Sequence, residues 1–141
     1  MVQQAHNMEE KFLKAIVAVN NLGYIGKGNT MLWRSKDDFL HFKEKTMGCK
    51  LLVGYNTSLE LPPLKGREVV IDPRGGYREL GTIDWCIGGK KTYEKYAPYF
   101  TELHISHIND NTIGDTLFPD FTTLNPNCKI FNHNFDVDLV Q

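Results

Sequence analysis

The sequence predicts an α/β fold in one domain, with a central, mostly parallel twisted sheet and flanking helices. Three observations lead there. Short β-branched apolar runs alternate with segments patterned as helices, the sequence sign of βαβ units. The strand-like runs are nearly continuous in apolar residues, as a sheet covered on both faces requires. The length, 141 residues, matches one domain on the usual prior of roughly 100–200 residues and is long enough to bury a proper core.

The elements follow in order. Residues 13–19 (LKAIVAV) read as a strand, and residues 20–32 as a loop holding Gly23, Gly26 and Gly28. Residues 35–45 read as a helix, with Phe39 and Phe42 three apart and Ser35-Lys36-Asp37-Asp38 as an S-x-x-D start. Residues 50–53 are a short strand ending at Gly54. A short helix follows Asn56 and stops before Pro62-Pro63. Residues 68–71 (EVVI) and 83–87 (IDWCI) are further strands, the second closed by Gly88-Gly89. Residues 92–99 look helical, with Pro98 limiting the end, and residues 103–108 (LHISHI) alternate like a strand. Beyond Asn125 the chain is rich in Asn, with one more strand near residues 129–131. Residues 1–12 are expected to be a flexible tail, leaving a domain of residues 13–141.

Composition excludes several classes. The 16 Lys+Arg and 17 Asp+Glu give a net charge of −1, so there is no long-range pull on nucleic acid. No apolar run is long enough for a membrane span, and the first ten residues lack the apolar core of a signal peptide. A cytoplasmic location is the expectation. Cys49, Cys86 and Cys128 are odd in number and scattered, so buried free thiols are expected rather than a disulfide framework or a zinc site.

Two junctions could bind phosphate. Gly88-Gly89 and Gly54-Tyr55-Asn56-Thr57 each follow a strand and precede a helix. Without Cβ atoms a ligand can approach the backbone, where N–H groups at the helix start are free. Two such junctions at the carboxyl ends of one sheet could grip one pyrophosphate. Neither is a GxGxxG fingerprint, and each alone also reads as a plain turn. Asp38 likewise has two readings. It can close the helix start, or, with Trp33 before it and Phe42 one turn later on the same face, it can be a poorly solvated carboxyl of raised pKa that holds a flat polar ring and delivers a proton. Arg67, after a turn at residues 64–66, is either a solvated charge or a bidentate clamp on a carboxylate. His104 and His107 point to opposite faces of their strand, and His41 and His133 show no partners in the sequence, so no metal is expected.

The stretches IVAVNNLGYIGKGNTMLW, DDFLHFKEKTMG, LLVGYNT, LKGREVVI, IGGKKTYE and IGDTLFPDF stand in an order that resembles the dihydrofolate reductase family over roughly residues 14–121. The resemblance implies one α/β domain whose last strand is antiparallel. It implies transfer of hydride from NADPH to 7,8-dihydrofolate, giving tetrahydrofolate, with protonation of N5. Asp38 and Trp33 are implied to be catalytic, with Asp38 binding the pterin. Ile16, Val17, Phe42 and Ile87 would wall the substrate, Leu64 would pack on its tail, Arg67 would bind its carboxylate, and Ser106 would join the substrate side. Ala18, Ile25 and Tyr93 would flank the nicotinamide. Asn56, Thr57, Lys91 and Thr92 would face the cofactor's phosphates, with Asn29, Met31, Gly54, Tyr55, Arg74, Gly88, Gly89 and Lys90 completing the cofactor set. Gly88-Gly89 implies a cis peptide, and residues 20–32 resemble a lid touched by Asp115-Thr116. Dihydrofolate and antifolates are the implied ligands.

Three features depart from the family pattern. Tyr55 replaces the usual arginine after Gly54. Residues 72–81 are shortened, with Asp72 where a small hydroxyl residue is common. After Phe121 one strand fits rather than a hairpin. An exposed sheet edge follows, so a monomer is the default and a dimer over that edge the alternative. Such trimming suits a compact viral or mobile-element genome. The competing reading is a non-catalytic relative that kept the fold.

Overall fold

Strand β1 (Leu13–Asn20) owes its central place to apolar residues in both phases of its alternation. In the computed structural model, which describes residues 13–26 and 32–139, Leu13, Ala15, Val17 and Val19 enter one core with Leu52, Cys86, Tyr93, Tyr96, Phe100 and Leu103. Ile16 enters the core on the other face with Leu51 and Trp85, against Phe42, Leu64 and Ile87. Period-2 alternation sends neighbours to opposite faces, so Ile16 and Val17, both expected on the substrate side, part company.

Around β1 stand β3 (Lys50–Val53), β4 (Glu68–Ile71), β5 (Trp85–Cys86), β6 (Phe100–Asn109) and β8 (Lys129–Asp136), in the order β4-β3-β5-β1-β6-β8. Every neighbouring pair in this sheet is parallel. The expectation of an antiparallel last strand therefore fails: β8 pairs with β6 in parallel from Glu102↔Lys129 to Asn109↔Asp136. The connection explains it. After β6 the chain runs back to the start of that strand, where the Asn125 side chain donates to the carbonyls of Ala97 (2.7 Å) and Phe100 (2.9 Å). A chain that returns before re-entering the sheet enters at the same end, whereas an antiparallel neighbour needs a hairpin. The antiparallel pairing lies elsewhere, between β2 (Tyr24–Gly26) and β7 (Thr116–Leu117), with Gly26 opposite Thr116.

Helix α1 (Lys36–Thr46) covers one face, and α3 (Lys90–Tyr96) contributes Tyr93 and Tyr96 to the core of the other. Short α2 (Tyr55–Ser58) follows β3, and α4 (Phe121–Leu124) precedes β8. The last turn before β6 tightens to a 3-10 turn at Ala97–Tyr99, because Pro98 has no N–H to continue an α-helix. At the other edge β4 has no outer neighbour among the described residues. Asp72, just past it, accepts hydrogen bonds from Lys95 (2.8 Å) and Tyr96, whose hydroxyl also accepts from the N–H of Tyr77. This network stitches the shortened segment to α3.

Cys49, Cys86 and Cys128 are free; Cys86 is buried and the other two half-buried. Burial pushes the Cys86 thiol up to about 12. Among the described residues no helix is long and apolar enough to cross a membrane, and no group of histidine, cysteine and acidic side chains is set to hold a metal. The expected tail at residues 1–12 lies outside the described residues.

Candidate active site

Ser35, not Asp38, caps α1: its hydroxyl accepts the Asp38 N–H at 3.3 Å. The Asp38 carboxyl is thereby released from cap duty and is influenced instead by the side chain of Ser106 on β6. Both residues are buried, Asp38 at 8% and Ser106 at 2% exposure. Burial, which penalises the charged form, raises the Asp38 pKa above 3.8, and the Ser106 side chain offsets part of that rise. Phe42, one turn on along the same face of α1, joins Ile16, Leu64, Ile87, Leu51 and Trp85 in one apolar cluster. Trp33 is buried in the segment leading into α1. The structure thus sets an ionisable group beside a hydrocarbon wall.

Arg67 sits half-buried past the other end of α1. Its Nη1 donates to the Thr46 hydroxyl at 3.2 Å and its Nε to the Lys65 carbonyl at 3.1 Å. Thr46 is itself fully buried and donates to the Phe42 carbonyl at 2.7 Å. The guanidinium is therefore tethered to the helix that carries Asp38, and its remaining N–H groups stay available to a carboxylate.

The two glycine junctions meet. The Gly54 N–H donates to the Gly88 carbonyl at 2.8 Å, and the Gly88-Gly89 peptide is cis. A Cβ on Gly54 would lie 2.5 Å from the Thr92 hydroxyl, and one on Gly89 would lie 2.8 Å from that of Thr57. Two threonine hydroxyls and bare backbone thus form one polar cradle at the carboxyl ends of β3 and β5, a shape and chemistry that fit a pyrophosphate. Gly88 has φ +114°, and a Cβ there would press on Tyr93, 3.2 Å from its hydroxyl oxygen and 3.3 Å from its ring. Tyr93 is buried and donates to the Ile16 carbonyl at 2.7 Å, fixing α3 to β1; burial holds its hydroxyl well above the usual tyrosine range.

The remaining residues expected to meet the cofactor spread out. Ala18 is half-buried on β1, and Ile25 on β2 packs against the core that holds Tyr93. Tyr55 is 62% exposed, Asn56, Lys91 and Arg74 are exposed, and Lys90 is half-buried. Asn29 and Met31 lie outside the described residues. Gly54→Ala is expected to weaken NADPH binding about tenfold or more, because its Cβ displaces the Thr92 hydroxyl. Adding Thr92→Ala should relieve the crowding without restoring the hydroxyl; calorimetric titration of both variants checks this.

Sequence reasoning placed Ser106 on the substrate side without seeing its influence on Asp38, and it treated His41, His104 and His133 separately. The structure gathers those three rings. They come from three elements, so no local spacing announces the cluster.

The sequence model of the family described as dihydrofolate reductase matches residues 12–79 and 77–134. The dihydrofolate reductase of Mycobacterium tuberculosis is 31% identical over 118 residues, covering 69% of this chain and 73% of that protein. The type 3 dihydrofolate reductase of Salmonella typhimurium is 31% identical over 131 residues, covering 79% of this chain and 80% of its own. A solved dihydrofolate reductase from Enterococcus faecalis, complexed with NADP(H) and RAB-propyl, superposes with a TM-score of 0.66 at 26% identity over 79% of each chain. With the fold, the family match and these relatives in agreement, the chain belongs to the dihydrofolate reductase family of oxidoreductases.

Proposed function

We propose that this chain reduces 7,8-dihydrofolate to 5,6,7,8-tetrahydrofolate with NADPH. The observation that carries this reading is the buried Asp38 carboxyl, its pKa raised by burial, on the helix that brings Phe42 into the Ile16–Phe42–Leu64–Ile87 wall. The cradle of Gly54, Thr57, Gly88, Gly89 and Thr92 would hold the cofactor's pyrophosphate. When bound, NADPH supplies a hydride from nicotinamide C4 to pterin C6. The rest is the work of the chain's own groups. Asp38 binds the pterin's amino group and ring N–H, and its raised pKa lets it hold the proton destined for N5. Trp33 lies beside that path. Ile16, Phe42 and Ile87 exclude water from the flat rings, and Leu64 and Arg67 take the tail and its carboxylate. Positioning in a dry cleft does most of the rest.

The Enterococcus faecalis relative holds NADP(H), which supports the choice of reductant. A second reading, a relative that binds without turnover, draws on the adenosine side: Asp72 is committed to Lys95 and Tyr96, and Tyr55 is exposed where an arginine is usual. The purified chain mixed with dihydrofolate and either NADPH or NADH decides between them. Consumption of NADPH with formation of tetrahydrofolate is expected. A folded protein that binds both ligands but turns over neither cofactor would establish the second reading instead. Turnover should also fall as pH rises through the Asp38 pKa, since fewer molecules then hold the proton; a pH profile of kcat checks this.

A further inference from the structure

The α1 face that carries Asp38 carries His41 three residues later, and β6 carries His104 two residues before Ser106. On β8, His133 stands in register with Ser106. The His41 and His133 rings are 4.4 Å apart, and His104 stacks on His133 at 5.7 Å with planes 10° apart. Phe135 lies 5.3 Å from His41, Phe131 4.6 Å from His104, and Trp85 meets His104 edge-on at 5.1 Å. Asp38, Ser106 and this stack therefore share one α1–β6 interface, with the edge strand β8 closing its side.

Three ring nitrogens in the stack, Nε2 of His41, Nδ1 of His104 and Nε2 of His133, are buried with no hydrogen-bond partner among the described residues. Nε2 of His104 faces Glu102 Oε1 at 2.9 Å. A carboxylate only accepts, so that nitrogen carries the hydrogen. The charged and titratable groups around the stack are Asp38 and Lys45 on α1, Glu102 and His107 on β6, and Lys14 of β1, which lies over the Trp85 ring. Glu102 meets His104, while Lys45 acts on both His41 and His133 with like charge.

We propose that the His41–His104–His133 stack is a positioning device for Asp38 and Ser106, clamping α1 and β8 to β6 only while the His41 and His133 rings are uncharged. The inference rests on the proposed reduction, in which Asp38 holds the proton. Beyond its ladder to β6, β8 is tied to the α1 end by the rings of His133 and Phe135 against His41, and by Asp138, which accepts the Lys36 N–H at 2.8 Å. A proton on one ring places a cation against a second imidazole and near Lys45. Burial and those like charges hold the pKa of both His41 and His133 below 6.5. Released, His41 and His133 take protons near their ordinary value, and clamped, only at lower pH. The clamp is therefore at full strength above about pH 6.5 and weakens as pH falls through the lowered values. Loosening β8 removes the strand in register with Ser106, and with it the setting of the Asp38 carboxyl.

The test follows amide hydrogen exchange in β8 and turnover of the full chain against pH, in the natural protein and in His41→Phe and His133→Phe. Protection of the β8 amides, corrected for intrinsic exchange, is expected to fall about tenfold or more from about pH 7.5 to about 5.5, and turnover to show an acid limb with the same midpoint. Each substitution should move that limb to lower pH, because phenylalanine stacks but takes no proton. Constant β8 protection across the range, or an acid limb that either variant leaves in place, overturns the proposal. Should either variant fail to fold, exchange in the natural protein alone decides. Absence of turnover at every pH would count against the reduction and leave the exchange result to judge the clamp.

Discussion

Asp38→Asn is expected to lower kcat near pH 7 by about 10²-fold or more without loss of the fold. The geometry separates the two effects. The start of α1 is capped by Ser35, whose hydroxyl takes the Asp38 N–H, so the cap survives any change in the Asp38 side chain. Asparagine keeps the volume, but it cannot hold a transferable proton. Stability near neutrality should hold or improve slightly. A buried carboxyl whose pKa is raised opposes folding once the pH exceeds its unfolded value, and asparagine removes that penalty. Circular dichroism melts beside single-turnover kinetics make the comparison. A variant as fast as the natural protein would take Asp38 out of the chemistry, and a variant that melted far below it would make the residue structural.

The second large effect belongs to Arg67→Leu. It is expected to weaken dihydrofolate binding by about 2 kcal/mol or more, roughly thirtyfold, with kcat changed far less. The tether to Thr46 holds the guanidinium at the far end of α1 from Asp38, so its contribution is to the grip on the substrate's tail. Leucine leaves a bound carboxylate without its bidentate partner. The control is a pterin substrate lacking the tail carboxylate, whose affinity should not distinguish the two proteins. Equal loss for both substrates would mean that the substitution had disturbed α1 through Thr46 and the Phe42 carbonyl.

How far the sequence led depended on whether a feature is local. The strands at residues 13–19, 50–53 and 68–71, the helix of residues 35–45 and the two glycine junctions are written in short patterns, and the observed β1, β3, β4 and α1 match them within a residue or two. The parting of Ile16 and Val17 was also within reach, because period-2 alternation alone separates them. The direction of β8 was not. It depends on where Asn125 anchors the returning chain, a contact that joins segments far apart in sequence. The β2–β7 ladder is just as remote and only two or three residues long on each side, too short for a period to show. At the site, Asp38 was visible through Trp33 and Phe42 nearby, but the influence of Ser106 on it crosses from β6 to α1. The histidine stack needs three elements packed together before it exists at all.

The account turns on the protonation of one sheltered carboxyl. Carbon-detected NMR of Asp38 in the free protein, titrated with acid and compared with Asp38→Asn to assign the signal, measures it directly. The prediction is a midpoint clearly above 3.8, the ordinary aspartate value, set by burial against the influence of Ser106. A midpoint at or below that value would describe a solvated carboxylate and contradict the proposed role of Asp38 in protonating the pterin.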